Sequence, residues 1–405
     1  MAQAARDRRG RGMKALVIAP QPFFAARGTP FSVYYRSLVM SKLGVQVDLL
    51  CYGEGEDIDV PNIRVVRIPR FRFLGPIRIG PSPQKLFLDI FMLLWTIGLL
   101  LRRRYDYVHA HEESVFWCRF LNPVFRFRLA YDMHSSLPQQ LTNFGFTRNR
   151  LVIGTFRWLE RSALKTSEAV ITICPDLRDY ALEAGVDPQR LFLIENSIFD
   201  EVRLAGEGTE ASPEDSEPTH IPSASGPRVV YAGTFEAYQG LDILVRAFAL
   251  VLKRQPGAQL LLVGGRPDQI EELQRLARDV NAGERCVFTG RVSKSAAMRL
   301  LESADVLVSP RSEGTNTPLK VYEQLASGKP LVATNIWSHT QVLNEDVCFL
   351  VEPEPDSMAQ GLLRAVTDPE TAGQRVQAAR KLYSTAYSRP VYEQKVHDFL
   401  VLLTH

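Results

Sequence analysis

The chain has 405 residues, 45% hydrophobic and 23% charged, with a formal net charge of +3. That length supports two or three domains, and the balance is that of a soluble globular protein rather than a fibrous or disordered one. Five cysteines, Cys51, Cys118, Cys174, Cys286 and Cys348, stand without paired spacing, which argues against a disulfide framework or a cysteine zinc site and for a reducing, cytoplasmic setting.

The opening "MAQAARDRRGRG" (1–12) is basic with no apolar core behind it, so it reads as a disordered leader and not a signal peptide. "KALVIAP" (14–20) is an apolar strand that ends in turn residues. "FSVYYRSLVMSKLG" reads as a helix and "VQVDLLCY" as the next strand. "YVHAHE", "RLAYDMHSS" and "EAVITIC" continue the strands, with helical segments between, so residues 13–202 are expected to form one doubly wound parallel α/β domain. Residues 203–227 are rich in Pro, Ser, Gly and acid. They cannot bury enough surface to offset their ordering entropy, so they read as a disordered acidic linker. Alternation restarts with "RVVYAG" and runs through "QLLLVGG", "CVFTGRV", "DVLVSP" and "PLVAT", a second doubly wound domain over 228–385. The tail, 386–405, reads as an amphipathic helix expected to cross back to the first domain. Ligands of such sheets bind outside the carboxyl ends of the strands, which places the expected site in a cleft between the two domains.

The charge is unevenly divided. Residues 1–200 hold 27 Lys/Arg against 19 Asp/Glu, net +8, which leaves −5 for the rest of a chain that totals +3. A basic half suits an anionic partner, and chance asymmetry is the plain alternative. Two basic-aromatic segments, 64–85 and 122–129, flank "IFMLLWTIGLLLRRR". Its apolar run of about a dozen residues is too short to span a bilayer and reads as a core-packed helix with a charged end. The other reading is an element pressed on an anionic membrane at its inner face. No nucleic-acid motif accompanies the basic residues, and nucleic acid is not expected as a partner.

Chemistry concentrates in "EGTNTPLKVYEQLASGKPLVAT" (313–334). Pro318 suits the first helical position, Asn316 or Thr317 can cap, and Gly328 followed by Pro330 ends the helix, which is expected over 318–327. Leu319, Tyr322, Leu325 and Ala326 share the face that should pack on the sheet, and Lys320, Glu323 and Ser327 fall on the other side. The amides of that helix start would face phosphate, Lys320 would add positive charge, and Glu323 can take two ribose hydroxyls. The plain alternative is an exposed helix with a weak Lys/Glu pair. In the first domain, Gly28 permits close backbone approach and Thr29 can cap the next helix. His109 and His111 alternate on a strand end and share one face. They resemble a metal pair, but no cysteine or third histidine lies near in sequence, so no metal is expected. "DID" (57–59) is acidic but far in sequence from the other motifs. His134 follows a strand in "AYDMHSS".

"VSPRSEGTNTPLKVYEQLASGKPLVAT" resembles the donor-binding segment of the family-4 retaining glycosyltransferases, which have the GT-B fold of two Rossmann-like domains. The resemblance implies that Glu323 is the ribose-binding glutamate, and that Glu313 or Thr315 takes the place of a first glutamate near the donor sugar. It puts Asn316 and Thr317 in the donor loop and Arg291 and Val292 in "CVFTGRVS" at the base. After Gly233 the family carries an arginine and then a lysine on the diphosphate, where this chain has Thr234 and Gln239. Lys320 is the obvious substitute and Arg311 the second. Gly28, Thr29, His109 and His111 match the acceptor side, His134 the catalytic-centre histidine, and Asn196 in "IENS" a structural turn. Catalysis would then rest on His134, Lys320 and Glu313, with a nucleotide sugar as donor, a glycan or lipid-linked glycan as acceptor, retention of configuration and no metal cofactor. Two rivals remain: a nucleotide-sugar epimerase on the same fold, and a non-catalytic glycosyltransferase-like scaffold, which the departures at Thr234 and Gln239 and the ambiguous first glutamate support.

Overall fold

The computed structural model describes residues 12–24, 28–75, 77, 82–138, 149–196, 221 and 223–404. Most of the expected leader and linker, residues 1–11, 203–220 and 222, lies outside them. The chain divides into two compact units, Met1–Glu207 with Arg389–His405, and Gly208–Ser388.

The first unit is built on β1 (Lys14–Ala19), β2 (Gln46–Cys51), β3 (Ile63–Arg67), β4 (Tyr107–His111), β5 (Arg128–Met133), β6 (Ala169–Thr172) and β7 (Leu191–Leu193). All neighbours pair in parallel, in the order β3-β2-β1-β4-β5-β6-β7. Both faces of β1 are buried, which is why it reads as an unbroken apolar run. Ala15, Val17 and Ala19 face one core and Leu16 and Ile18 the other. The first core is covered by the helix Gly28–Lys42 and the second by Pro83–Arg102, Ser114–Phe125, Arg150–Thr166 and Pro175–Glu183.

Two expectations change here. The basic-aromatic segment from residue 64 opens as the edge strand β3, and the two arginines of that strand, Arg64 and Arg67, are engaged within the unit, while Arg70 and Arg72 beyond it are exposed. Arg64 pairs with Asp48 at 2.7 Å. Arg67 takes the carbonyls of Phe23, Glu54 and Glu56 and the carboxylate of Asp57, which accounts for one acid of "DID". The apolar run after residue 90 belongs to a 20-residue helix that starts at a Ser82 cap and absorbs Lys85 and Asp89. One side packs on the second core through Leu88, Met92, Leu99 and Leu100, but only 22% of its apolar window is buried, so the rest of its apolar surface is not covered by the core.

The second unit contains β8 (Arg228–Ala232), β9 (Gln259–Val263), β10 (Cys286–Gly290), β11 (Val306–Ser309), β12 (Leu331–Thr334) and β13 (Phe349–Val351). They form a parallel sheet in the order β10-β9-β8-β11-β12-β13. Helices Leu241–Leu252 and Pro355–Thr367 cover one face, Lys294–Glu302 and Lys320–Ala326 the other. The end of the expected linker is part of this unit. Ile221 packs on its core, and Gly226 lies so near Gly257 that an added Cβ would sit 2.7 Å from that residue's carbonyl carbon. Chain order reverses between β1 and β4 in one sheet and between β8 and β11 in the other, the points where such sheets open for ligands.

The segment Arg389–Thr404 is a helix of the first unit. Tyr392, Val396, Phe399, Leu400 and Leu403 enter the first core. The Phe399 ring stands edge-on to Tyr107, His109 and Phe192 at 6.2, 5.5 and 5.8 Å. Lys395 pairs with Glu195, and Arg128 donates to the Leu403 carbonyl. Phe399→Ala should therefore cost roughly 3–5 kcal/mol in urea unfolding, whereas Val401→Ala on the same helix should stay within about 0.5 kcal/mol. Equal effects from the two would show that the helix is not anchored through this ring.

Candidate active site

In the second unit, β8 runs into Gly233, and Gly233 is exposed with Thr234 beyond it. The turn is held by the Gly233 amide on the Val263 carbonyl at 3.0 Å and by Tyr231 Oη on the Thr234 carbonyl at 2.7 Å. Gly240, with φ of 65°, lies against β11, and a Cβ there would fall 2.1 Å from the Pro310 carbonyl oxygen. Only glycine fits that approach. It brings Gln239 to Lys320, whose Nζ donates to Gln239 Oε1 at 3.2 Å and lies 4.1 Å from the centre of the Tyr231 ring. Burial, assisted by Arg311, lowers the Lys320 pKa to about 7. No carboxylate among the described residues pairs with this ammonium, and Glu323 does not.

Arg311 anchors the loop over residues 313–317. Its Nε donates to the Glu313 carbonyl at 2.6 Å and its Nη1 to the Asn316 carbonyl at 3.2 Å, while its guanidinium lies over Tyr238. Gln341 holds the Thr315 carbonyl at 2.6 Å. The backbone of the loop is thus tied down, with Glu313, Thr315 and Asn316 exposed and Thr317 half-buried. The next helix is shorter than expected, Lys320–Ala326, with Leu319 and neither Asn316 nor Thr317 at its cap position, and Pro318 precedes it. The amides of Val321 and Tyr322 already bond the carbonyls of Pro318 and Leu319, so the charge of Lys320, and not the start of a long helix, dominates this corner. Val321 and Gln324 are buried beside the expected Tyr322 and Leu325, while Leu319 and Ala326 are half-buried. Glu323 is exposed at its surface, and its carboxyl is raised by desolvation against the opposing pull of Lys294. Arg291, exposed, and Val292, half-buried, follow β10, two strands from β8.

Sequence reasoning missed His339. It is buried and bonds Ser309 Oγ through Nε2 at 2.9 Å and the Thr334 carbonyl through Nδ1 at 3.0 Å. It therefore ties the ends of β11 and β12 beneath the donor loop. Desolvation lowers its pKa to about 4, so it is neutral, and Lys320 and Arg311 push the same way. "WSHT" offers no periodic or motif signal for this role.

In the first unit, the register sets His109 beside Ala130 and His111 beside Asp132, and His134 follows β5. A third histidine thus lies close in space although distant in sequence. Asp132 receives His109 Nε2 at 2.9 Å and lies 3.3 Å from both His111 Nδ1 and His134 Nε2. His111 and His134 are 3.1 Å apart through Nδ1 and Nε2. Arg36, from the helix Gly28–Lys42, forms a buried ion pair with the same carboxylate and donates to the Ile194 carbonyl at 3.0 Å. Burial alone would raise Asp132; Arg36, then His111 and His134, hold it well below the usual carboxylate range. Desolvation lowers His109 and His111 despite that carboxylate. His109, His111 and Asp132 present ligand-type atoms within 4.8 Å of one another. A divalent ion among them would face the Arg36 guanidinium in a buried site, so the set fits an ion-pair network better than a metal centre. The segment after His134 is held by buried Glu160, which accepts from Ser136 Oγ, the Leu137 amide and Tyr180 Oη at 2.8, 2.9 and 2.6 Å. Thr29 lies within the first turn of its helix, which begins at Gly28, so it is not the cap. Asn196 follows β7 and is half-buried.

The chain matches two family profiles: a glycosyl transferase 4-like domain over residues 34–197 and glycosyl transferases group 1 over residues 226–368. It is 23% identical over 393 residues to the alpha-D-kanosaminyltransferase of Streptomyces kanamyceticus, covering 93% of this chain and 96% of that one. It is 30% identical over 163 residues to the phosphatidyl-myo-inositol mannosyltransferase of Mycobacterium tuberculosis, covering 38% of this chain and 41% of that one. Among solved structures it resembles sucrose-phosphate synthase from Thermosynechococcus elongatus, with TM-score 0.69 and 19% identity over 94% of this chain and 96% of that one. Anabaena HepE, solved with UDP, superposes with TM-score 0.67 and 15% identity over 95% and 98% of the two chains. One profile on each unit, both of glycosyltransferases, and full-length likeness to GT-B structures lead to one conclusion: the chain is a family-4 glycosyltransferase with the GT-B fold.

Proposed function

We propose that the second unit binds a nucleoside diphosphate sugar at the carboxyl ends of β8 and β11, and that the enzyme passes the sugar with retention to a hydroxyl of a glycan or lipid-linked glycan. The observation that carries this reading is the uncompensated Lys320 ammonium beside the exposed Gly233–Thr234 turn. Lys320 is half-buried, and a partly desolvated cation without a carboxylate is retained where an anion arrives to pair with it. The leaving diphosphate is that anion. Lys320 stabilises the charge that develops on it and takes the place of a metal ion, with Gln239 and Tyr231 fixing the ammonium.

Gly233 admits the diphosphate close to the backbone, and Thr234 offers its hydroxyl. Glu323 accepts the ribose hydroxyls, and Arg291 and Val292 meet the base. Glu313 is assigned to the donor sugar, since the loop fixes its backbone and leaves the carboxylate exposed; Thr315 and Asn316 share that exposed surface and Thr317 supports it. On the acceptor side, His134 is assigned to the reacting centre, its ring held by Asp132 and His111, with His109 behind them and Gly28 and Thr29 at the start of the neighbouring helix. Support for the donor comes from HepE, solved with UDP and with UDP-glucose. Support for a lipid-linked acceptor comes from the mannosyltransferase, which by name acts on phosphatidyl-myo-inositol.

Lys320→Ala and Glu323→Ala should each lower transfer about 100-fold with the fold intact by circular dichroism, and His134→Ala should do the same. Full turnover in any of them would remove that residue from its role. Thermal unfolding with UDP, GDP and ADP identifies the base. A ligand at about 100 times its dissociation constant should add about 2.7 kcal/mol to the wild type and nothing to Glu323→Ala. Turnover of nucleotide sugar without acceptor would instead indicate an epimerase. The affinity for nucleotide should also depend on pH. The free Lys320 loses its proton through about pH 7, and bound diphosphate favours the charged form. Binding therefore takes up a proton and weakens as pH rises through that value, and the slope should vanish in Lys320→Gln. A pH-independent affinity in the wild type would show that Lys320 does not meet the phosphates.

A further inference from the structure

We infer that the outer surface of the helices Pro83–Arg102, Ser114–Phe125 and Arg150–Thr166 docks on an anionic lipid bilayer. The three helices lie side by side over the second core of the first unit, Ser114–Phe125 touching both others. Their inner sides pack on the sheet; Leu88, Met92, Thr96, Leu99 and Leu100 of the first helix are buried. Their outer sides remain apolar. Leu86, Ile90 and Leu94, one helical turn apart, are 59%, 58% and 54% exposed. Phe120 and Val124 on the second helix are 57% and 74% exposed, and Trp158 on the third 57%. Apolar residues at i, i+4 and i+8 on a solvent face contradict the pattern of a soluble surface helix.

The charge on this surface is predominantly positive. The three helices contain two acidic residues, Asp89 and Glu160. Glu160 is buried on Ser136 and Tyr180, and Asp89 is half-buried with Tyr52 donating to it. The exposed charges on the helices are Arg102, Arg157, Arg161 and Lys165; just past their ends stand Arg104 and Arg126 and one acid, Glu168, which pairs with Arg128 at 3.5 Å. Arg119 lies over the rings of both Phe120 and Trp158, at 4.9 and 5.2 Å, so cation and aromatic surface are interleaved. Apolar side chains that reach hydrocarbon, a tryptophan at headgroup depth and cations for lipid phosphate are the elements of an interfacial membrane contact. A second copy of the chain would bring an equally basic surface against this one, which opposes self-pairing. The buried inner side of Pro83–Arg102 also keeps that helix on the protein surface, since crossing a bilayer would open the core beneath it.

The inference stands independently of the donor assignment. It is tested by flotation of the full chain with vesicles of phosphatidylcholine alone and with an equal mixture of phosphatidylcholine and phosphatidylglycerol. The chain should float with the mixed vesicles only and be released by salt. Ile90→Glu/Leu94→Glu and, separately, Arg157→Glu/Arg161→Glu should each weaken binding at least about tenfold. All four positions are exposed, so melting temperature and nucleotide stabilisation should stay unchanged, which separates this result from any failure of the donor site. No flotation with the mixed vesicles, equal flotation with neutral ones, or wild-type binding by both variants would overturn the inference. So would lipid-free dimerisation abolished by Ile90→Glu/Leu94→Glu, which would place a second copy on this face.

Discussion

The first unit is organised around one buried carboxylate. Asp132 sits at the end of β5, and within its reach are Arg36 from a helix on the first core and three histidines from two strand ends. Removing either member of a buried ion pair leaves an uncompensated charge, typically at a cost of several kcal/mol, although the intact pair adds little net stability. Its value is positional. Arg36 also bonds the carbonyl of Ile194, and the helix Arg389–Thr404 closes the same core, so one network joins β4, β5, the chain beyond β7 and the chain's last helix. Asp132 and His111 both contribute to the orientation of His134.

The second unit treats its half-buried charge in the opposite way. Lys320 is held by a neutral amide and an aromatic ring, with Arg311 pushing in the same direction as burial. Asp132 is paired within the protein, whereas Lys320 has no carboxylate partner among the described residues. The loop in front of Lys320 is rigid for a separate reason. Arg311, Gln341 and His339 fix its backbone carbonyls and the strand ends below it, which leaves the side chains of Glu313, Thr315 and Asn316 at the surface.

The outer helices of the first unit follow neither pattern. Their inner faces build an ordinary α/β core, and their outer faces place leucine, isoleucine, phenylalanine and tryptophan beside unpaired cations in water. Such a surface adds nothing to folding. Together with the net +8 of residues 1–200, it gives one half of the enzyme a different environment from the other. A transferase with a lipid-linked acceptor would use that difference to orient itself on the surface that holds its substrate.

Much of this was legible in the chain itself. Continuous apolar runs bounded by turn residues specify parallel strands, because both faces of such a strand are buried wherever it lies. The segment 313–334 was legible because its loop, helix and strand are contiguous, and the family resemblance pointed to Lys320 as the substitute for the lysine that the family carries where this chain has Gln239. Other features required the tertiary fold. That Gln239 bonds Lys320, 81 residues on, depends on the close passage of Gly240 over Pro310. That His109, His111 and His134 share one carboxylate depends on the register of β4 and β5, and that Arg36 neutralises it depends on a helix packing across the sheet. Most revealing is the helix Pro83–Arg102, whose sequence suits a protein core. Side-chain chemistry determines that a leucine favours an apolar environment; only the packing of the neighbouring elements decides whether the protein supplies that environment or leaves it to a partner.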